Sequence, residues 1–270
     1  MSRIDDIFES HRREGTRALM PFLTGGYPSL PDTERALLGM ADAGASIVEI
    51  GFPFSDPIAD GPVIASSMHE TLERGLRIEQ LFAMVAGVRD RTTLGLVAMT
   101  SDSILERMGT ERFFARAAEA GFDGLIVPDM DLSKARGLGD LARQHDLALT
   151  FLIAPTTAPD RAAEILDACR GFVYLLARTG LTGEQQDAPE IERQVEMIRS
   201  RSSLPIAAGF GIATPEHVRM VTAHADAAIV GSALVRRMGL ADDPASAALE
   251  FTRELASGLA GATPTSSPPR

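Results

Sequence analysis

Short apolar runs alternate with amphipathic stretches along almost the whole of this chain. The runs are rich in aliphatic and β-branched residues and lack a polar face, which predicts strands buried on both sides. They cover Ala18–Thr24, Ile47–Gly51, Thr93–Met99, Asp123–Pro128, Leu147–Ile153, Phe172–Ala177, Pro205–Phe210 and Ala227–Gly231. Helical spacing of apolar residues occupies Pro31–Ala43, Val63–Arg74, Ile78–Val88, Thr110–Ala120, Leu132–His145, Ala158–Arg170, Ile191–Ser200 and Thr214–Ala223. An amphipathic helix over residues 2–13 precedes the first strand, and a closing helix covers Pro244–Ala256. Gly44 and Gly121 follow two of the helices, where a left-handed glycine stops a helix. Strand–helix alternation of this length predicts a parallel α/β sheet, and eight units predict closure into a (β/α)8 TIM barrel. The expectation is one domain over residues 1–260 with an extra N-terminal helix; an open doubly wound sheet would need a different strand count. The tail, residues 261–270, is rich in Pro, Ser and Thr and predicts disorder.

The run Ile47-Val48-Glu49-Ile50-Gly51 breaks the apolar rule with a carboxylate. Strand side chains alternate, so Glu49 shares a face with Ile47 and Gly51 while Val48 and Ile50 take the other. A charge there is costly to bury unless something uses it. The loop that follows, Phe52 to Pro62, holds three prolines, two aspartates and a glycine, which is stiff and acidic for a linker. Two readings stand side by side. Glu49 pairs with an arginine while Asp60 caps the next helix, or both carboxylates serve a site at the end of the strand.

Barrel enzymes carry their active sites at the C-terminal ends of the strands. Those ends present Phe22, Thr24, Glu49, Asp60, Met99 to Asp102, Asp129, Tyr174, Gly180 to Gly183, Gly209 to Gly211, and Gly231-Ser232. The last two groups follow strands seven and eight, where glycines let backbone amides approach a phosphate. Gly-x-Gly also makes plain tight turns, but two such loops in adjacent units favour the phosphate. The Gly209-x-Gly211 pair is not a dinucleotide fingerprint, because Thr214 stands where the further glycine belongs.

Composition narrows the chemistry. A net charge of −11 argues against nucleic acid and against anionic membrane surfaces, though a small anionic substrate remains compatible with it. No apolar run is long enough to cross a membrane, and the polar, acidic Met1–Ser10 does not read as a signal peptide. The lone cysteine, Cys169, excludes an intramolecular disulfide and fits a reducing cytoplasm. None of the five histidines falls at a strand end or in a metal-ligand spacing, so no metal site is expected; nor is a cofactor expected. The only lysine, Lys134, lies in the first turn of a predicted helix, which leaves no strand-borne Schiff-base lysine. The chemistry must rest on carboxylates, hydroxyls and amides.

The stretch Glu49-Ile50-Gly51-Phe52-Pro53-Phe54-Ser55-Asp56-Pro57-Ile58-Ala59-Asp60-Gly61-Pro62 resembles, almost residue for residue, the signature of the tryptophan synthase α-subunit family. Tyr174 to Gly183, Gly209-Phe210-Gly211-Ile212 and Gly231-Ser232-Ala233 are further matches, and the resemblance runs from Phe22 through Ser232. It implies cleavage of indole-3-glycerol phosphate into indole and glyceraldehyde 3-phosphate by retro-aldol chemistry, in tryptophan biosynthesis. It implies acid–base work for Glu49 and a hydrogen bond from the indole N–H to Asp60. Phe22 and Tyr174 resemble pocket walls, although aromatics at strand ends also pack barrels. Thr182 resembles the residue that closes over the site and bonds to Asp60. Gly183, Gly209, Phe210, Gly211, Gly231 and Ser232 resemble the substrate- and phosphate-binding positions. The family works as an α2β2 complex with a pyridoxal-phosphate β subunit, and Pro53 and Asp56 match the loop that touches it.

Two departures bear on that partner. Met99-Thr100-Ser101-Asp102-Ser103-Ile104 stands where the family carries a Tyr-x-Asn-Pro-like segment, and Asp131-Leu132 replaces a proline-containing turn. Both weaken the expected partner interface more than the chemistry. A stand-alone lyase releasing free indole, and a non-catalytic activator of a β partner, are the alternatives; retention of Glu49 and Asp60 speaks against the activator.

Overall fold

Every residue of the first strand, β1 (Ala18–Thr24), and of the second, β2 (Ile47–Gly51), is buried, as strands walled in on both faces must be. The computed structural model describes residues 2–55, 57, 61–177, 191–209 and 211–259, and Arg136 by its backbone alone. The expectations for Asp56, Asp60, Thr182, Gly183, Phe210, the glycine- and threonine-rich loop and the tail lie outside the described residues.

The remaining strands are β3 (Gly95–Met99), β4 (Gly124–Ile126), β5 (Ala148–Thr150), β6 (Leu152–Ile153), β7 (Val173–Leu176), β8 (Ile206–Gly209) and β9 (Ala227–Val230). All pair in parallel in one sheet, ordered β5-β4-β3-β2-β1-β9-β8-β7-β6. The two ends of that order are consecutive in the chain, so the sheet closes on itself as the expected barrel.

The count differs from eight, because the fifth run is split at Phe151. Its first half pairs with β4 and its second with β7. The Phe151 amide leaves the ladder and lies 3.4 Å from the Cys169 sulfur. The run reads as one strand, and its single polar residue, Thr150, does not by itself mark a change of partner.

Strand alternation divides the apolar residues into two layers. Met20, Ile47, Val97, Ile126, Phe172 and Ile229 fill the barrel, and Ile4 and Phe8 of α1 (Arg3–Glu14) join them. Val48, Ile50, Leu96 and Ala98 face outward against the surrounding helices. Those helices are α2 (Leu30–Met40), α3 (Pro62–Glu73), α4 (Ile78–Val88), α5 (Asp102–Met108), α6 (Thr110–Ala120), α7 (Leu132–Gln144), α8 (Pro159–Ala168), α9 (Glu192–Arg199), α10 (Pro215–Thr222), α11 (Ser232–Leu240) and α12 (Pro244–Ala256). Among the described residues no helix is long and apolar enough to cross a membrane.

Helix α5 occupies the segment that departs from the family. Ser101 caps it by accepting from the Ile104 amide, and the next helix starts only two residues after its end. Asp131 does the same for α7, accepting from Ser133 N at 2.8 Å, which accounts for an aspartate in the place of a proline turn.

Candidate active site

The mouth of the barrel is built around Glu49. Its register partner on β1 is Phe22 and on β3 is Val97. Alternation puts the carboxyl inside the barrel with Ile47 rather than among the helices. It is fully buried, and among the described residues neither carboxyl oxygen has a hydrogen-bond partner. Burial without a compensating charge pushes its pKa well above the usual carboxylate range. The arginine-paired reading of Glu49 therefore fails among the described residues.

An apolar collar stands beside the acid. Phe22, Ile64, Met68 and Val235 form a buried cluster, with Phe54, Val63 and Met99 packed on it. Ile64 and Met68 come from α3 and Val235 from α11, helices that follow the two loops at the mouth. As apolar residues on helices they gave no sequence signal. The Phe22 ring lies against Gly51, where an added β-carbon would stand 2.5 Å from Phe22 Cζ. Thr24, at the end of β1, is hydrogen-bonded to Ser67 of α3 at 2.7 Å, which ties helix to strand next to the collar.

The two aromatics expected as pocket walls fall in different clusters, with Met99 packed on both. Phe22 belongs to the collar, whereas Tyr174 packs in the barrel interior with Phe172, Ala207 and Ile229. Its hydroxyl reaches across Gly209, whose missing side chain leaves room for it.

The glycine loops expected to receive phosphate lie on the other side of Phe22. Pro21 pairs with Val230, so Gly231 follows directly beside the collar, and a β-carbon there would meet Ile64 and Phe22 at 3.5 and 3.8 Å. Gly231 is the N-cap of α11 without any side-chain cap, and Ser232 is its first residue. An uncapped helix start with a glycine approach suits an anion. Gly211 has the left-handed φ of 80° that glycine favours. Thr214, which excluded a dinucleotide fingerprint, is the N-cap of α10 and accepts from the His217 amide.

The loop after β2 is partly described. Pro53 is buried and Phe54 half-buried, whereas Ser55 is exposed. Lys134 stays on the outside: its ammonium pairs with Asp102 and Glu106 at 2.7 and 2.5 Å, tying α7 to α5. Asp129 accepts from the Asp102 amide at 2.9 Å, so it braces the same segment. His217 carries no strand-end signal in the sequence because it sits on a helix, yet its ring returns to the Gly211 turn.

A parallel barrel with a buried carboxyl of raised pKa at its mouth and a glycine loop beside its apolar collar is an arrangement of the (β/α)8 enzyme class suited to acid–base chemistry. Residues 8–263 match the family model described as tryptophan synthase alpha chain. A tryptophan synthase alpha chain of Synechococcus sp. (strain CC9902) is 43% identical over 236 residues, 87% of this chain and 88% of that one. That of Chloroflexus aurantiacus is 41% identical over 264 residues, 96% of this chain and 99% of its own. The solved structure of tryptophan synthase subunit alpha from Legionella pneumophila superposes with a TM-score of 0.88 at 30% identity, over 96% of this chain and 98% of that one. The chain belongs to the tryptophan synthase alpha chain family.

Proposed function

We propose that the chain cleaves indole-3-glycerol phosphate to indole and glyceraldehyde 3-phosphate, with Glu49 moving both protons. The observation that carries this reading is the buried, unpartnered carboxyl beside the apolar collar. Burial raises its pKa, which favours the protonated form and lets it give a proton to indole C3. The ring then becomes an electron sink. The new carboxylate takes the proton of the adjacent side-chain hydroxyl, the carbon–carbon bond breaks, and its electron pair restores the aromatic ring. The hydroxyl carbon leaves as an aldehyde, and Glu49 ends protonated as it began.

Phe22 and the collar are the wall for the indole ring. Gly211, Gly231, Ser232 and the amides opening α11 receive the phosphate, with Gly209 giving Tyr174 its place behind them. Asp60 holds the indole N–H as positive charge develops, and Thr182 and Gly183 close over the site. We further infer a cytoplasmic α2β2 assembly with a tryptophan synthase β subunit, engaged through the loop that bears Pro53 and Asp56. The single cysteine fits that reducing compartment.

A stand-alone lyase is the second reading, because α5 is bound to α7 through Asp102, Glu106, Asp129 and Lys134 rather than left open. The test is indole release from indole-3-glycerol phosphate by the purified chain, alone and with a β subunit. Slow release that β accelerates is expected; fast release that β leaves unchanged would establish the stand-alone enzyme. Glu49→Gln should lower kcat by roughly a hundred- to ten-thousandfold. A fully active Glu49→Gln variant would overturn the mechanism.

A further inference from the structure

We propose that His217 is a positioning residue for phosphate recognition, bracing the Gly211 turn from behind. The proposal rests on the reading that this turn receives the substrate phosphate. His217 is a buried side chain in the first turn of α10. Its Nδ1 lies 3.1 Å from the Gly211 carbonyl oxygen and 3.4 Å from the Ala213 amide nitrogen. One ring atom thus faces both an acceptor and a donor of the same short turn. With the proton on Nδ1 the ring donates to Gly211; with the proton on Nε2 it accepts from the Ala213 amide. Either tautomer ties the turn to the helix.

The ring is not needed to cap α10. Thr214 already does that by accepting from the His217 amide at 3.2 Å, which also fixes the backbone from which the ring springs. What the ring adds is control of a peptide plane. The N–H of a trans peptide points opposite to its carbonyl, so a Gly211 carbonyl held at His217 turns the Ile212 N–H away from α10. Ile212 is itself buried in the outer core, which pins the far side of the same peptide. Gly211 is left-handed and has no side chain of its own to hold this shape. Without the imidazole the turn keeps its glycine freedom and loses its brace.

The test compares the full chain with His217→Leu, His217→Gln and His217→Asn. Leucine fills the space without polar atoms. Glutamine carries its amide out to the Nε2 position, leaving no polar atom where Nδ1 stood, whereas asparagine keeps one there. The readouts are KM and kcat for indole-3-glycerol phosphate, competitive inhibition by inorganic phosphate, direct phosphate binding by calorimetry, and thermal unfolding. The Leu and Gln variants are expected to raise KM and the phosphate inhibition constant together by about three- to tenfold, the worth of one hydrogen bond, with kcat unchanged. Asparagine is expected to restore both constants. Unchanged KM and phosphate inhibition in Leu and Gln would overturn the proposal, as would a loss confined to kcat or to thermal stability that asparagine does not restore. If the Leu variant does not fold, the Gln and Asn pair carries the comparison. Absence of indole release by the unsubstituted chain would instead overturn the functional reading, and phosphate calorimetry would still report on His217.

Discussion

Phe22 and Glu49 are direct partners in the β1–β2 ladder, so the collar's aromatic wall and the buried acid stand side by side at one level of the barrel. The acid meets no hydrogen-bond partner among the described residues, and the wall beside it is apolar. A site arranged this way disfavours the charged carboxylate, and that costs the fold stability wherever the free acid would ionise.

That cost has a pH signature. The folded-state pKa of Glu49 is raised by burial, so the unfolded chain releases this proton at a lower pH than the folded chain. Below the unfolded value of about 4.3 both states hold the proton and no penalty exists. Above it, stability falls by about 1.4 kcal/mol per pH unit until the folded-state pKa is reached. Glu49→Gln removes this term. Urea unfolding of both proteins should show the variant increasingly more stable as pH rises from about 4 towards neutrality. A gap that stays constant over that range would mean that the carboxyl is not shifted.

Gly51 should tolerate no side chain. A β-carbon there would stand 2.5 Å from the Phe22 ring, so Gly51→Ala must push the collar out of shape. We expect a loss of about 1–3 kcal/mol in denaturant unfolding, with a higher KM for the substrate. Because the clash is with one ring, Phe22→Leu in the same chain should cost less than the sum of the two single changes. Strict additivity would remove Phe22 as the obstacle.

At the opposite end of the barrel, Asp123 accepts from the Leu96 amide at 2.8 Å and from Arg89 at 2.9 Å. Arg89 also donates to the carbonyls of Gly121, Thr92 and Leu94. Asp123→Ala would leave the half-buried Arg89 guanidinium without the one carboxylate it pairs with among the described residues. Unfolding free energy should drop by about 3 kcal/mol or more. Since the clamp lies at the N-terminal ends of the strands, kcat/KM should be unchanged once the variant is folded. A selective loss of activity would contradict that division.

Cys169 should be silent in the native chain. Burial pushes its thiol pKa up to about 12, and its sulfur packs against the Phe151 backbone. Labelling by a thiol reagent at neutral pH should therefore proceed only through opening of the fold, and denaturant should accelerate it sharply. Rapid labelling without denaturant would show that the junction between β5 and β6 is open to solvent.

The barrel was legible in the chain because parallel strands buried on both faces leave uninterrupted apolar runs, and the helices between them keep their own period. Glu49 was legible for the complementary reason: a lone carboxylate in such a run stands out. The break in the fifth strand was not, since a β-branched Thr150 before Phe151 suits a continuous strand and only a change of pairing partner marks the break. Nor were Ile64, Met68 and Val235, whose helical spacing reads as ordinary core. His217 escaped because its role depends on the shape of a turn, not on its place at a strand end.

By itself, the sequence determined the repeating unit, the glycine loops after its last two strands, and a carboxylate that needed a use. These are local properties, set by side-chain period, turn chemistry and the cost of burying charge. The tertiary structure alone decided which side chains meet. Closure of the barrel brings Phe22 beside Glu49, sends Tyr174 into the interior while Phe22 lines the mouth, and folds His217 against Gly211. Those contacts depend on strand register and on the path of each loop, which no stretch of the chain encodes alone.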